Sequence, residues 1–153
     1  MAPDINGNYS YKMDPKFRVS VPALWRPLLG ENFQLMKAKR REQPMIIVLT
    51  EADYNERLRL IREFEGADAA AKRETEGMFH SMCRPASIND QGKMLVPKDL
   101  AEYAGIQAGA PVVLEGRGQH FAIWNPENYE VAQERVNEDE MIKEMAERLG
   151  VFS

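Results

Sequence analysis

Apolar and polar positions alternate with period two along the first third of the chain. This predicts short strands at Tyr9 to Met13, Arg18-Val19-Ser20-Val21, Phe33 to Lys39 and Met45 to Leu49. Asp14-Pro15-Lys16-Phe17 reads as a turn between the first two, since Asp and Pro favour turn starts. Pro22 predicts a short helix, because a first helical residue needs no N–H partner. Leu24, Trp25, Leu28 and Leu29 give it an apolar face, Pro27 loosens its middle and Gly30 ends it. A charged turn joins the last two strands.

The same order returns later in the chain. Asn89-Asp90-Gln91-Gly92 is a turn and Lys93 to Val96 a strand. Pro97 to Ala104 is a helix with Leu100, Tyr103 and Ala104 on one face and Gly105 after it. Val112 to Glu115 and Phe121 to Trp124 are strands joined by Gly116-Arg117-Gly118. Longer helices follow each unit. Thr50 caps one that presents Tyr54, Leu58 and Ile61, and Asn125-Pro126 opens another that presents Tyr129 and Val136. Asp68 to Met82 is a connecting helix, and Met141, Met145 and Leu149 line a terminal amphipathic one.

One offset of 75 relates the two runs. It pairs Met13 with Ile88, Asp14 with Asn89, Arg18 with Lys93, Val21 with Val96, Pro22 with Pro97, Gly30 with Gly105, Tyr54 with Tyr129 and Ile61 with Val136, and the spacing predicts an ungapped repeat. Each copy has too few strands to bury its own apolar face. Residues from Tyr9 to Tyr54 and from Pro85 to Tyr129 are therefore expected to form like units about a pseudo-twofold axis, sharing one core.

Composition narrows the classes. With 153 residues, 44% of them hydrophobic, one core or two joined halves can form. No apolar run nears the roughly 20 residues that span a bilayer. Met1 to Ser10 is polar, without the layout of a secretion signal. The lone Cys83 excludes an internal disulfide and fits a reducing cytoplasm. Net charge is −4, which alone argues mildly against nucleic acid. Its distribution matters more than the total: the charge runs read as solvated faces, but the basic one coincides with strand and turn signals, which raises a functional reading. Between Tyr11 and Arg41 eight basic residues (Lys12, Lys16, Arg18, Arg26, Lys37, Lys39, Arg40 and Arg41) meet two acidic ones, Asp14 and Glu31. From Asn125 onward eight acidic residues meet three basic.

Candidate chemistry for catalysis is thin. His80 and His120 lack metal-ligand spacing, and no nucleophile–base pair can be named for a small hydrolase. Cys83 beside Arg84 reads better as a small packing residue than as a reactive thiol. Trp25 and Trp124 read as core. The Met-rich terminal helix reads as core or a protein interface. No enzyme activity, metal or cofactor is expected.

Gly7-Asn8-Tyr9 followed by Asp14 to Pro22, then Asn89 to Pro97, Tyr103-Ala104-Gly105 and Val112 to Trp124, resembles the MraZ family along nearly the whole chain. The resemblance implies an α+β fold of two tandem SpoVT/AbrB-like half-domains of swapped-hairpin type. They would form one pseudo-twofold barrel with flanking helices. The corresponding limits are 7–54 and 83–128 for the half-domains, 55–82 for connecting helices and 129–153 for C-terminal helices. It further implies a cytoplasmic, nucleoid-associated, ring-like homo-oligomer that contacts no membrane. Such a protein would bind short direct repeats in double-stranded DNA upstream of division and cell-wall genes. An AbrB-like antitoxin of a toxin–antitoxin pair is the alternative, although such proteins usually carry one copy and a disordered tail.

The family places its DNA contacts on the Asp-x-x-x-Arg element, here Asp14 to Arg18. Lys12 and Lys16 suit phosphates. Arg18 offers a fork to a guanine edge that lysine does not duplicate. Asp14 is expected to orient Arg18 or close the turn rather than touch DNA. Three departures from the family stand out. Phe17 replaces the turn glycine, so the turn is expected to do without a positive φ there. Asn89 and Lys93 replace Asp and Arg in copy two, which is expected to leave Lys93 without an orienting carboxylate. Ala122 stands where a Glu commonly precedes the Ile-Trp pair.

Overall fold

The two copies exchange strands instead of folding side by side. A computed structural model describes residues 4–153; the first three positions of the polar Met1–Ser10 stretch lie outside the described residues. The fold is α+β. Its strands are β1 (Asn8–Lys12), β2 (Arg18–Ser20), β3 (Gln34–Arg40), β4 (Gln43–Leu49), β5 (Arg84–Pro85), β6 (Lys93–Leu95), β7 (Pro111–Gly116) and β8 (His120–Trp124). Its helices are α1 (Glu51–Arg62), α2 (Ala69–Met82), α3 (Lys98–Tyr103), α4 (Pro126–Asn137) and α5 (Glu140–Leu149). Six strands make one antiparallel sheet, ordered β1-β7-β8-β4-β3-β5, and β2 and β6 make a separate ribbon. Among the described residues no ladder joins sheet and ribbon into a single closed barrel.

The pairing register carries the internal symmetry. Val19 faces Met94 in the ribbon, and Ile47 faces Ala122 at the centre of the sheet. Both pairs are 75 apart, so each lies on the axis that exchanges the copies. The Val21 N–H donates to Gly92 O at 3.0 Å and the Val96 N–H to Phe17 O at 2.8 Å, which are mates under the same exchange. Farther out, β1 of copy one pairs with β7 of copy two, while β5 of copy two pairs with β3 of copy one.

Those outer pairs correct the ungapped repeat. Tyr9 faces Leu114 and Arg84 faces Leu35. Tyr9 and Arg84 are 75 apart, but Leu35 and Leu114 are 79 apart. Copy two has four extra residues between Gly105 and β7, and copy one has four extra across the β3-β4 hairpin. The two insertions cancel by β4 and β8. Both fall in a loop or a hairpin tip, where added length costs little. At that tip Arg41 and Glu42 adopt φ of 49° and 68°, the left-handed pair that matches the twist of a two-residue hairpin.

The helix expected after Pro22 is reduced to a turn and one 3-10 turn, Arg26–Leu28. Pro27 has no N–H to continue an α-helical ladder. At the equivalent position copy two has Glu102, and α3 forms. Leu24, counted on the apolar face, is exposed instead.

Two apolar clusters stabilise the assembly. The larger lies between sheet and ribbon and joins matched residues: Val19 with Met94, Val21 with Val96, Trp25 with Leu100, Ile46 with Phe121, Val48 with Ile123. The smaller lies on the sheet's other face, where Met45, Ile47, Leu49 and Trp124 meet Ala132 of α4, with Tyr54, Phe79 and Tyr129 packed around them. β4 alternates between the clusters, so the central strands are buried on both faces. Trp25 and Trp124 are core, as the sequence suggests. α1 and α4 start at Thr50 and Asn125, whose side chains accept the N–H of Asp53 and of Glu127. α5 leaves Met141, Met145 and Leu149 exposed.

One ion pair sits in the outer cluster. Arg40 binds Glu115 through both terminal nitrogens, at 2.9 and 3.0 Å, and stacks 4.9 Å from the centre of the Trp124 ring. The Trp124 indole N–H donates to the same carboxylate at 3.1 Å. Glu115 is the cross-strand partner of Ala122. The carboxylate missing from position 122 is thus supplied by the neighbouring strand. Arg40 Nε is buried without a partner, so the pair does not fully offset its desolvation. Glu115→Ala is expected to cost about 3 kcal/mol, because it leaves the guanidinium buried and unpaired. Joint replacement by Arg40→Met and Glu115→Leu is expected to regain most of that in urea denaturation.

Candidate nucleic-acid interface

The β2-β6 ribbon presents one face to the core and one to solvent. Val19 and Met94 point inward and are fully buried. Alternation then turns Arg18, Ser20, Lys93 and Leu95 outward. Arg18 stands opposite Leu95, and Ser20 opposite Lys93. A ribbon of this width is one of the two elements that fit the DNA major groove.

The turns that open each strand are built alike. Asp14 Oδ1 accepts the N–H of Lys16 and of Arg18, both at 2.8 Å. Asn89 Oδ1 accepts the N–H of Gln91 at 3.0 Å and of Lys93 at 2.9 Å. An oxygen acceptor at this position closes the turn, and an amide supplies it as well as a carboxylate does. What the carboxylate adds is charge. Asp14 Oδ2 accepts from Arg18 Nε at 2.9 Å and lies 3.8 Å from Lys93 Nζ. Asp14 therefore both closes its turn and orients Arg18. The expectation that Lys93 lacks an orienting carboxylate is corrected: it borrows Asp14 across the axis.

Arg18 and Lys93 are each about one-third exposed, at 34% and 33% of their side chains. Arg18 is held by Nε, while among the described residues its two terminal nitrogens have no partner. The fork is aimed yet unused. Lys16 lies in the turn beside it and is exposed. Lys12 stands apart at the end of the edge strand β1, with no hydrogen bond or ion pair to this cluster.

The expectation about Phe17 is also corrected. Phe17 takes φ 60°, the left-handed conformation that Gly92 takes in copy two at φ 76°. The hydrogen bond from Val96 to Phe17 O requires that backbone path on both sides of the axis. The phenyl group offsets part of the strain by packing against the larger core. Arg26, a member of the basic run, packs beneath the copy-two turn. Its guanidinium lies where a Cβ on Gly92 would be, 2.3 Å from the built position, and its Nε donates to Val21 O at 2.8 Å. The position in copy one equivalent to Gly92 is Phe17, and the residue in copy two equivalent to Arg26 is Ala101. Glycine goes with the large neighbour and phenylalanine with the small one.

The rest of the basic run is dispersed. Lys37 lies over the Tyr103 ring at 5.0 Å, Arg40 is committed to Glu115, and Arg41 pairs with Asp139 at 2.9 Å. The two histidines have side-chain partners, Tyr54 for His80 and Asp53 for His120. Tyr54 Oη and His80 Nδ1 are 2.9 Å apart. Burial lowers the His120 pKa despite Asp53 nearby, and burial raises the Cys83 thiol. Among the described residues no cluster of His, Cys, Asp and Glu forms a metal site, and no helix is long and apolar enough to cross a membrane.

The Asp14 pKa is held below its ordinary value, first by the backbone N–H of Arg18 and then by the Arg18 side chain, against desolvation. A carboxyl lowered on folding stabilises the fold above its unfolded pKa, about 3.9, and loses that effect as pH falls through the lower folded value. Asp14→Asn is expected to keep the turn, as Asn89 does, but with a urea midpoint below wild type and above Asp14→Ala at pH 7, since it lacks the charge paired with Arg18. Asp14→Ala strands two N–H groups and is expected to unfold at lower urea. The gap between wild type and Asp14→Asn is expected to close below about pH 4; a gap that widens there would contradict the assignment.

Comparison with known proteins agrees with the resemblance read from the motifs. The family model for the MraZ protein, described as antitoxin-like, matches residues 86–152. The chain is 30% identical over 144 residues to the transcriptional regulator MraZ of Dictyoglomus turgidum, covering 94% of each. It is 31% identical to that of Symbiobacterium thermophilum, covering 94% of this chain and 99% of the relative. It is 32% identical to that of Leuconostoc mesenteroides, covering 80% and 82%.

Proposed function

The chain belongs to the MraZ family, and from that premise we propose that it is a sequence-specific DNA-binding regulator of transcription whose reading head is the β2-β6 ribbon. The observation that carries this is the Asp14–Arg18–Lys93 cluster: an arginine fork steadied by a carboxylate, outward on a ribbon of groove-fitting width. Arg18 contacts a guanine edge in the major groove. Lys16 and Lys12 neutralise phosphates, and Lys93 holds backbone from copy two. Asp14 and Asn89 set the two turns and stay off the DNA. The half-domains at 7–54 and 83–128 act as one swapped-hairpin, barrel-like unit, with residues 55–82 and 129–153 as helical flanks.

One chain offers a small basic patch, so affinity comes from several patches engaging short direct repeats at once. The gain in effective concentration acts when copies assemble, as in a ring-like homo-oligomer. The repeats lie in a promoter region upstream of division and cell-wall genes, and the protein works in the cytoplasm on the nucleoid. The role is binding, not catalysis. A second reading, an antitoxin that covers a toxin, is favoured by one feature: Met141, Met145 and Leu149 stand exposed on the terminal helix. Titration with DNA from upstream of its own gene separates the two, since only the regulator prefers that DNA over a scrambled duplex in the absence of a protein partner.

Arg18→Ala is expected to cost about 1–3 kcal/mol per engaged site and to relax base preference. Lys16→Ala is expected to weaken binding to all sequences alike and to lower the slope of log affinity against log salt by about 1. Lys93→Ala is expected to lose similar free energy on specific and scrambled duplexes. Anisotropy titrations at several salt concentrations read all three, and an Arg18→Ala protein with unchanged preference would remove the ribbon as reading head.

A further inference from the structure

Leu95 is the one apolar residue on the outward face of the ribbon, and it is 58% exposed. Its strand neighbours Met94 and Val96 are fully buried, so the core is complete without it. A single exposed leucine elsewhere would need no explanation. This one stands directly opposite Arg18. Its mate in copy one is Ser20, so nothing in the repeat demands an apolar side chain at that place. The ribbon face therefore carries a guanidinium fork beside a hydrocarbon.

Cross-strand partners have Cβ atoms about 4.5–5.5 Å apart. Successive base pairs are about 3.4 Å apart along the groove. A guanine edge held by Arg18 therefore puts Leu95 over the neighbouring base pair. The chief apolar feature in the major groove is the thymine 5-methyl group, which is recognised by apolar contact. We infer that Leu95 is a specificity-determining residue that packs on the 5-methyl of a thymine next to the guanine held by Arg18. Ser20 and Lys93, with no large apolar surface at the tip, leave the other side of the ribbon face without such a selection. The inference rests on the DNA-reading role proposed above and adds the base class read by copy two.

The test begins by selecting a preferred duplex from a randomised pool with the full chain. Thymines in that duplex are then replaced one at a time by deoxyuridine, which lacks only the methyl. Loss of one buried methyl is expected to weaken wild-type binding about fourfold at a single position adjacent to a guanine. Leu95→Ala is expected to lose affinity on the unmodified duplex by a similar factor and to be indifferent to deoxyuridine at that position. Thermal unfolding of Leu95→Ala near wild type would show that the fold is kept. Equal sensitivity of the two proteins to deoxyuridine at every position overturns the inference, as does no sensitivity in either. If Leu95 instead covers a second copy, Leu95→Ala shifts sedimentation and weakens both duplexes equally, which also overturns it. Failure to select any preferred duplex removes the DNA-reading role itself, and this inference with it.

Discussion

The pairing of β2 with β6 is the contact on which the rest of the molecule depends. Each strand has only three residues, far too few to persist alone. They are held because Val19 and Met94 close one side of a core that takes matching residues from both copies. The outer strands follow the same logic, since β1 finds its partner in copy two and β5 finds its partner in copy one. Neither copy contains a complete sheet. The outward face is thus built from both copies, one strand from each.

Sharing of one carboxylate is the second consequence of that pairing. Arg18 and Lys93 are far apart in sequence, but the ribbon brings both within reach of Asp14. A second carboxylate at position 89 would add another negative charge beside the surface proposed to meet phosphate. Asn89 keeps the turn and omits the charge. Copy two can therefore be a poorer copy of the motif without being a poorer fold. The same trade appears beneath the turns, where Gly92 makes room for Arg26 while Phe17 accepts a left-handed backbone and gains burial.

Much of this was legible in the chain. Alternation located the strands of both copies except β5, and capping residues located the starts of α1 and α4 to within a residue. The offset of 75 implied matched halves, and the axis pairs Val19–Met94 and Ile47–Ala122 obey it. Three things were not legible. The insertions before β7 and at the β3-β4 tip cancel, so end-to-end spacing hid them; only the pairing of Leu35 and Leu114 exposes the shift. Phe17 spoke against a positive φ in its turn, because a side chain disfavours the left-handed region. The exchange of hydrogen bonds with Val96 overrides that preference. The ion pair between Lys93 and Asp14 crosses the axis, and no local pattern encodes a contact across 79 residues of chain. Leu95 was within reach of the sequence, since alternation from buried Met94 and Val96 turns it outward.

Net charge misled for a physical reason that the fold makes plain. The basic run and the acidic tail meet in one ion pair, Arg41 with Asp139 at 2.9 Å. Arg40 is withdrawn to Glu115, and Arg26 is pinned above Gly92. What is left outward is small and sits on the ribbon. α4, which leads the acidic tail, packs through Ala132 and Tyr129 on the opposite face of the sheet from the ribbon. A polyanion approaching that side meets repulsion, and one approaching the ribbon meets Lys16, Arg18 and Lys93. A negative protein with so divided a surface binds DNA weakly when the sequence is wrong, because few phosphates are neutralised. Under the proposed reading, discrimination then depends on short-range contacts made by Arg18 and its neighbours, because base contacts and not phosphate contacts carry sequence information.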